Sequence, residues 1–120
     1  MKAVFDTNIL IDYLNGIQQA KEEIALYSHC LISSITWMEV LVGADEENEA
    51  IIRAFLSRFK QIPVTEEIAE KAVSIRRGAK IRLPDAIIKA TAETENALLI
   101  SRNTKDFPEN DPSVRLPYHL

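Results

Sequence analysis

The chain has 120 residues, 47% hydrophobic and 27% charged, which excludes a disordered chain and suits one domain, 1–120, built on one core. Its 14 basic and 18 acidic residues give a net charge of −4, which excludes a surface coated in cations for indiscriminate nucleic-acid binding. Cys30 is the only cysteine, so no internal disulfide can form; no apolar run is long enough for a membrane, and an acid at position 6 comes too early for a signal peptide, so the expected compartment is the cytoplasm.

In chain order, residues 2–5 read as a first strand that ends on Asp6. A helix is expected over 7–15, with Ile9, Leu10, Tyr13 and Leu14 on one face and Asn15-Gly16 as its stop. A second helix is expected over 18–27, with Ala20, Ile24 and Leu26 inward and Lys21, Glu22 and Glu23 outward. Residues 29–33 read as the second strand and 36–42 as a third helix closing at Gly43. Residues 45–60 are amphipathic, with Ala50, Ile51, Ala54, Phe55 and Phe59 at helical spacing. Residues 61–64 form a brief strand whose Pro63 suits an end or an edge. A helix over 65–77 carries Ile68, Ala72 and Ile75 inward, and Gly78 interrupts it. The turn 81–84 leads into a helix over 85–95, and 97–101 is a buried strand. The loop 102–107 and an irregular, proline-containing segment precede a last strand over 114–116.

Strands alternating with helices predict an α/β fold with a mostly parallel central sheet and helices on both faces. Such a sheet gathers the carboxyl ends of its strands, and the loops leaving them, at one edge, where open α/β folds place their chemistry. Asp6 comes directly after strand one, Glu39 lies in the helix after strand two, and Asp106 lies in the loop after strand four. Asp85 joins them if its turn folds over that edge.

Each acid also has a plainer reading. Asp6 serves equally as an N-cap, although the polar run Asp6-Thr7-Asn8 is longer than one cap requires. Glu39 interrupts an apolar helix, where a bare buried carboxylate is costly, but Thr36 and Glu39 also have capping-box spacing. Asp85 suits a helix start behind Pro84, with Lys89 at i+4 for an ion pair. Asn103 and Asp106 suit a turn. Asp12 and the run 45–49 read as solvated helix surface. Arg76, Arg77, Lys80 and Arg82, joined by Arg102 and Lys105, are either solvated cations or phosphate contacts beside the acids.

Other chemistries find little footing. With three glycines there is no nucleotide-binding loop. His29 and Cys30, adjacent on a strand, point to opposite faces, and His119 stands far away, so a zinc site is not expected; Cys30 reads as a small buried hydrophobe.

Four segments together, Phe5-Asp6-Thr7-Asn8, Ser33 through Gly43, Leu83 through Ala92, and Leu99 through Phe107, resemble the PIN-domain family, and within it the small VapC-type toxins of toxin–antitoxin pairs. The resemblance covers nearly the whole chain in the right order. It implies a three-layer α/β/α sandwich and a Mg²⁺-dependent endoribonuclease, with Mn²⁺ as the other candidate cofactor. Its implied catalytic and metal-holding acids are Asp6, Glu39, Asp85 and Asp106, supported by Thr7, Asn8, Ser101 and Asn103. Many relatives carry an acid where this chain has Asn103, and others rely on the position of Asp106. In-line attack by a metal-activated water would leave a 5′-phosphate and a 3′-hydroxyl. The expected partners are an RNA substrate, a cognate antitoxin and a second copy of the chain, with no membrane. Trp37, Leu41, Ile51, Phe55 and Phe59 are candidates for a groove or dimer contact, or for core. A PIN-fold nuclease with a housekeeping role and no antitoxin, or a non-catalytic binding module, are the alternatives.

Overall fold

The computed structural model describes residues 1–108 and 110–120. Five strands, β1 (Lys2–Phe5), β2 (His29–Ser33), β3 (Lys60–Ile62), β4 (Leu98–Ile100) and β5 (Val114–Arg115), form one parallel sheet in the order β3-β2-β1-β4-β5. Six helices, α1 (Thr7–Leu14), α2 (Gln18–Ala25), α3 (Ser34–Val42), α4 (Glu49–Leu56), α5 (Glu66–Gly78) and α6 (Leu83–Thr94), complete the described fold. The chain steps from β1 to β3 on one side, then returns to lay β4 and β5 on the other. That reversal puts the topological switch point between β1 and β4.

The strands alternate faces, and each face has its own core. Ala3, Phe5, Ile32 and Ile100 pack with Ile9, Leu10, Ile24, Ile52, Phe55 and Phe59, so α1, α2 and α4 cover one side. Val4, Leu31 and Leu99 pack with Ile68, Ala72, Ile88 and Ala90, so α5 and α6 cover the other. The result is a three-layer α/β/α sandwich. The Phe5 ring meets Tyr27 and Phe59 edge-on, at 5.7 and 5.9 Å, and centres the first core.

Several local expectations give way. Ser33, not Thr36, caps α3: its hydroxyl accepts the Ile35 N–H at 3.1 Å. The helix therefore starts two residues early, Thr36 is buried inside it, and no Thr36–Glu39 capping box forms. The acidic run does not open α4. Asp45 accepts the Glu47 and Asn48 N–H groups in a turn of its own, and the helix waits until Glu49. Its buried residues are Ile52, Phe55 and Leu56, while Ile51 is exposed. Phe55 and Phe59 are thus core residues and are not available for a partner.

Leu26, just past the end of α2, is exposed, and Glu23 within it is buried because Arg115 and Tyr27 bond its carboxylate at 2.6 to 3.0 Å. Lys89 does not pair with Asp85. The loop before β5 brings Asp111 beside α6, and Lys89 Nζ reaches it at 2.7 Å. Cys30 is half-buried, its Sγ near the carbonyls of Ile24 and Tyr27, and burial raises its thiol pKa.

The bond from Lys89, with two from Ser113, holds the Asp111 carboxyl down at about 2. A folded-state value below the unfolded one gives stability that is complete above about pH 4 and lost as pH falls through about 2. Asp111→Asn is expected to cost about 1–2 kcal/mol at neutral pH. Urea unfolding at both pH extremes checks this, since the gap to wild type should close under acid.

Candidate active site

Asp6 ends β1 at the switch point and is 3% exposed. It caps α1 and serves the site at once. One oxygen accepts the Thr7 N–H at 2.7 Å, and the other accepts Ser101 Oγ at 2.7 Å and Asn8 Nδ2 at 3.3 Å. Ser101 reaches it because β4 pairs with β1, with Phe5 opposite Ile100. Glu39 projects from α3, a helix with Met38 and Val42 also exposed, so its carboxylate is not buried among apolar side chains. Thr7 Oγ1 donates to Glu39 Oε1 at 2.6 Å and also contacts Thr36 Oγ1 at 3.2 Å. Asp85 lies in the first turn of α6, the helix that feeds β4 and so begins at the carboxyl edge of the sheet. Asp6, Thr7, Asn8, Ile11, Glu39, Arg82, Asp85 and Asn103 line one cleft of about 220 Å³.

The corner after β4 divides its work between two residues. Asn103 lines the cleft, while the Asp106 side chain is only 5% exposed. Asn103 accepts the Lys105 and Asp106 N–H groups and donates Nδ2 to Asp106 Oδ2 at 2.9 Å. Asp106 reaches the cleft residues through Arg82, whose Nε is 3.6 Å away from it and 3.1 Å from Asp85.

Crowding sets the titration of these acids. Burial, with the charge of Glu39 behind it, raises Asp6 against the opposing bonds from Ser101 and Thr7. Burial also raises Asp85, to about 7, helped by the bond it shares with Asp106 and by the charge of Asp6. Burial would raise Asp106 too, but the bonds from Asp85 and Asn103 and the charge of Arg82 carry it below the ordinary value. Within this pair Asp85 is the weaker acid and Asp106 the stronger. Nearby positive charge would oppose the upward shifts of Asp6 and Asp85.

The donors fit a hard cation: they are carboxylate oxygens, with hydroxyl and amide groups around them and no thiolate or imidazole. Among the described residues no three carboxylate, imidazole or thiol side chains converge closely enough to hold an ion directly. Asp6 and Asp85, the two buried carboxylates that line the cleft, are the oxygen donors such a cation would meet.

The expected phosphate contacts separate. Arg76, Arg77, Lys80, Arg82 and Lys105 are exposed, and Arg76, Lys80, Ile81 and Arg82 line an open depression of about 490 Å³. Arg102 does not join them, because it grips Asp12 through two bonds of 2.7 and 2.9 Å. Asp12, expected on the solvated surface, is 4% exposed and also accepts the Tyr118 hydroxyl at 2.8 Å. Burial alone would raise Asp12, yet the Arg102 and Tyr118 bonds hold its carboxyl below the ordinary value. Asp12 stands one turn after Asn8 on α1, a spacing that offered a signal; Tyr118 offered none.

The comparisons with known proteins agree with this fold. A family model described as PIN domain matches residues 3–111. The chain belongs to the PIN-domain family. It is 31% identical over 124 residues to Ribonuclease VapC19 of Mycobacterium tuberculosis, covering 96% of this chain and 98% of that relative. Its fold matches a solved toxin–antitoxin complex from Klebsiella pneumoniae with a TM-score of 0.93 and 47% identity, covering 98% of this chain and 99% of that one. A DNA-bound VapBC structure from Salmonella typhimurium matches with a TM-score of 0.78 and 27% identity, covering 96% of both chains. No helix of this PIN domain is long and apolar enough to cross a membrane, among the described residues.

Removing the charge of Asp12 leaves the Arg102 guanidinium without its carboxylate partner. Asp12→Asn is expected to destabilise the fold by about 2–3 kcal/mol, against under about 1 for Glu49→Gln in the exposed Glu49–Arg53 pair. Parallel urea titrations measure both, and equal losses would remove the special standing of the buried pair.

Proposed function

We propose that this chain is a divalent-metal-dependent endoribonuclease, the toxin of a toxin–antitoxin pair, that hydrolyses RNA phosphodiester bonds. The observation that carries the reading is the convergence of Asp6, Glu39 and Asp85 on one cleft at the switch point. The likeness to a VapC ribonuclease and to toxin–antitoxin complexes supports the substrate class and the partner.

Asp6 and Asp85 would hold Mg²⁺, or Mn²⁺ in its stead, with Glu39 and Asp106 completing the acidic surround. When bound, the ion lowers the pKa of a ligating water and offsets charge on the scissile phosphate. Ser101, Asn8 and the Thr7 N–H fix the Asp6 carboxylate, so its orientation costs nothing at the moment of reaction. Thr7 Oγ1 fixes one Glu39 oxygen and leaves the other without a partner among the described residues, ready to take a proton from an attacking water. Asn103 fixes the Asp106 carboxylate through its Nδ2. Arg76, Arg77, Lys80 and Lys105 would meet flanking phosphates without reading sequence, and Arg82 stands between them and the acids.

A second copy of the chain is the further partner proposed. Met38, Val42 and Ile51, on α3 and α4, are exposed by 47%, 84% and 69%, and support an apolar contact there. Trp37 and Leu41 are half-buried, and the Arg53 guanidinium lies over the Trp37 ring at 5.5 Å.

The test is cleavage of an oligoribonucleotide with Mg²⁺ and with chelator, alongside growth on induction. Asp6→Asn and Asp85→Asn should each lower the rate by about two orders of magnitude or more while keeping the fold. Thr7→Val should cost about tenfold, through the misplaced Glu39. Undiminished cleavage or toxicity in Asp6→Asn would sink the catalytic reading. A folded wild type that binds RNA but never cuts it would favour a non-catalytic module.

A further inference from the structure

Arg82 stands among the acids without belonging to them. Its side chain is 76% exposed, yet its Nε lies 3.1 Å from Asp85 Oδ2 and 3.6 Å from Asp106 Oδ2. It also lines the same cleft as Asp6. An exposed ion pair with a single carboxylate is weak, because a long side chain surrenders its freedom for little gain. Here one guanidinium faces several carboxylates at once.

The backbone under it is settled. Arg82 is the N-cap position of α6 (φ −65°, ψ 148°), and Pro84 lies in the first turn. The side chain is mostly in solvent. It has somewhere to go, for Arg82 lines both the acid cleft and the neighbouring depression formed with Arg76, Lys80 and Ile81.

We propose that Arg82 is a built-in counter-ion of the acid cluster, and that a divalent cation binds by displacing its guanidinium from Asp85 and Asp106 toward the basic depression. The proposal rests on reading the cleft as a cation site. A dication at these carboxylates and a guanidinium 3.1 Å from one of them repel each other, so the two states exclude one another. The protein's apparent affinity for the metal is then its intrinsic affinity reduced by the fraction of time the arginine is out. Balancing the carboxylates in the metal-free chain and weakening the metal are two results of one contact.

Mn²⁺ titration calorimetry without RNA, paired with thermal melts with and without Mn²⁺, tests this on wild type, Arg82→Gln, Arg82→Lys and Asp85→Asn. Arg82→Gln should bind Mn²⁺ about fivefold or more tightly than wild type, with Arg82→Lys between them. Metal-free Arg82→Gln should melt below wild type, and Mn²⁺ should raise its melting temperature by more. Asp85→Asn should bind more weakly than all three. Equal or weaker Mn²⁺ binding in Arg82→Gln, with Asp85→Asn still impaired, overturns the counter-ion role and leaves the cation site standing. Absence of Mn²⁺ binding in every folded variant removes the cation site itself, and the proposal with it.

Discussion

Holding like charges together without a covalent tie is the constraint on which this site depends. Asp6 shows how it is met: its two oxygens accept bonds from the Thr7 backbone, the Asn8 amide and the Ser101 hydroxyl. Two of these donors are its immediate neighbours on α1, and the third stands 95 residues away. Only the pairing of β1 with β4 at the switch point brings that third donor home. Fold topology and electrostatics are therefore inseparable here, since a sheet with another strand order would leave Asp6 buried without the Ser101 hydroxyl.

Behind the cleft, a second ionic contact does the opposite of what Arg82 does in front of it. Arg102 and Tyr118 clamp the buried Asp12, and the Arg102 backbone N–H donates to Asn8 Oδ1 at 3.2 Å. This ties the loop after β4 and the segment near the C-terminus to the helix that carries Thr7 and Asn8. Both arginines pair with aspartates, but Arg102 is bidentate onto a side chain that is 6% exposed, whereas Arg82 is mostly in solvent. Geometry and cover separate a brace from an exchangeable ion.

The five strands and their mostly parallel direction were legible in short β-rich runs separated by helical stretches, though not their order; Pro63, which suited an end or an edge, directly follows β3, an edge strand. Topology sent Asp6, Glu39 and Asp106 to one edge, and Asp85 only if its turn folded over it; the resemblance singled out Asp6, Glu39 and Asp85, the three acids that line the cleft. Asp12 and Glu23 were not legible. A charged residue on an amphipathic helix reads as solvent-facing, and the partners that bury these two, Arg102 and Arg115, lie 90 and 92 residues away. Helix starts failed for local reasons: Ser33 caps the backbone and begins α3 early, while Asp45 bonds the Glu47 and Asn48 N–H groups in a turn that delays α4.

The amide at position 103 then takes on meaning from its neighbour. Its Oδ1 accepts two backbone N–H groups, a task a carboxylate would share, but its Nδ2 donates to Asp106 at 2.9 Å, which a carboxylate does not do. An aspartate there would set a second negative charge against Asp106, beside an Asp85 whose pKa already stands at about 7. Asn103 and Asp106 thus form a complementary pair, and the amide keeps the negative charge of this corner within what one nearby cation can balance. The same amide fixes the Asp106 carboxylate and keeps a polar face on the cleft. An aspartate at 103 would remove the donor that fixes Asp106 and add a charge beside it, so the amide is the side chain that lets Asp106 stay ionised here.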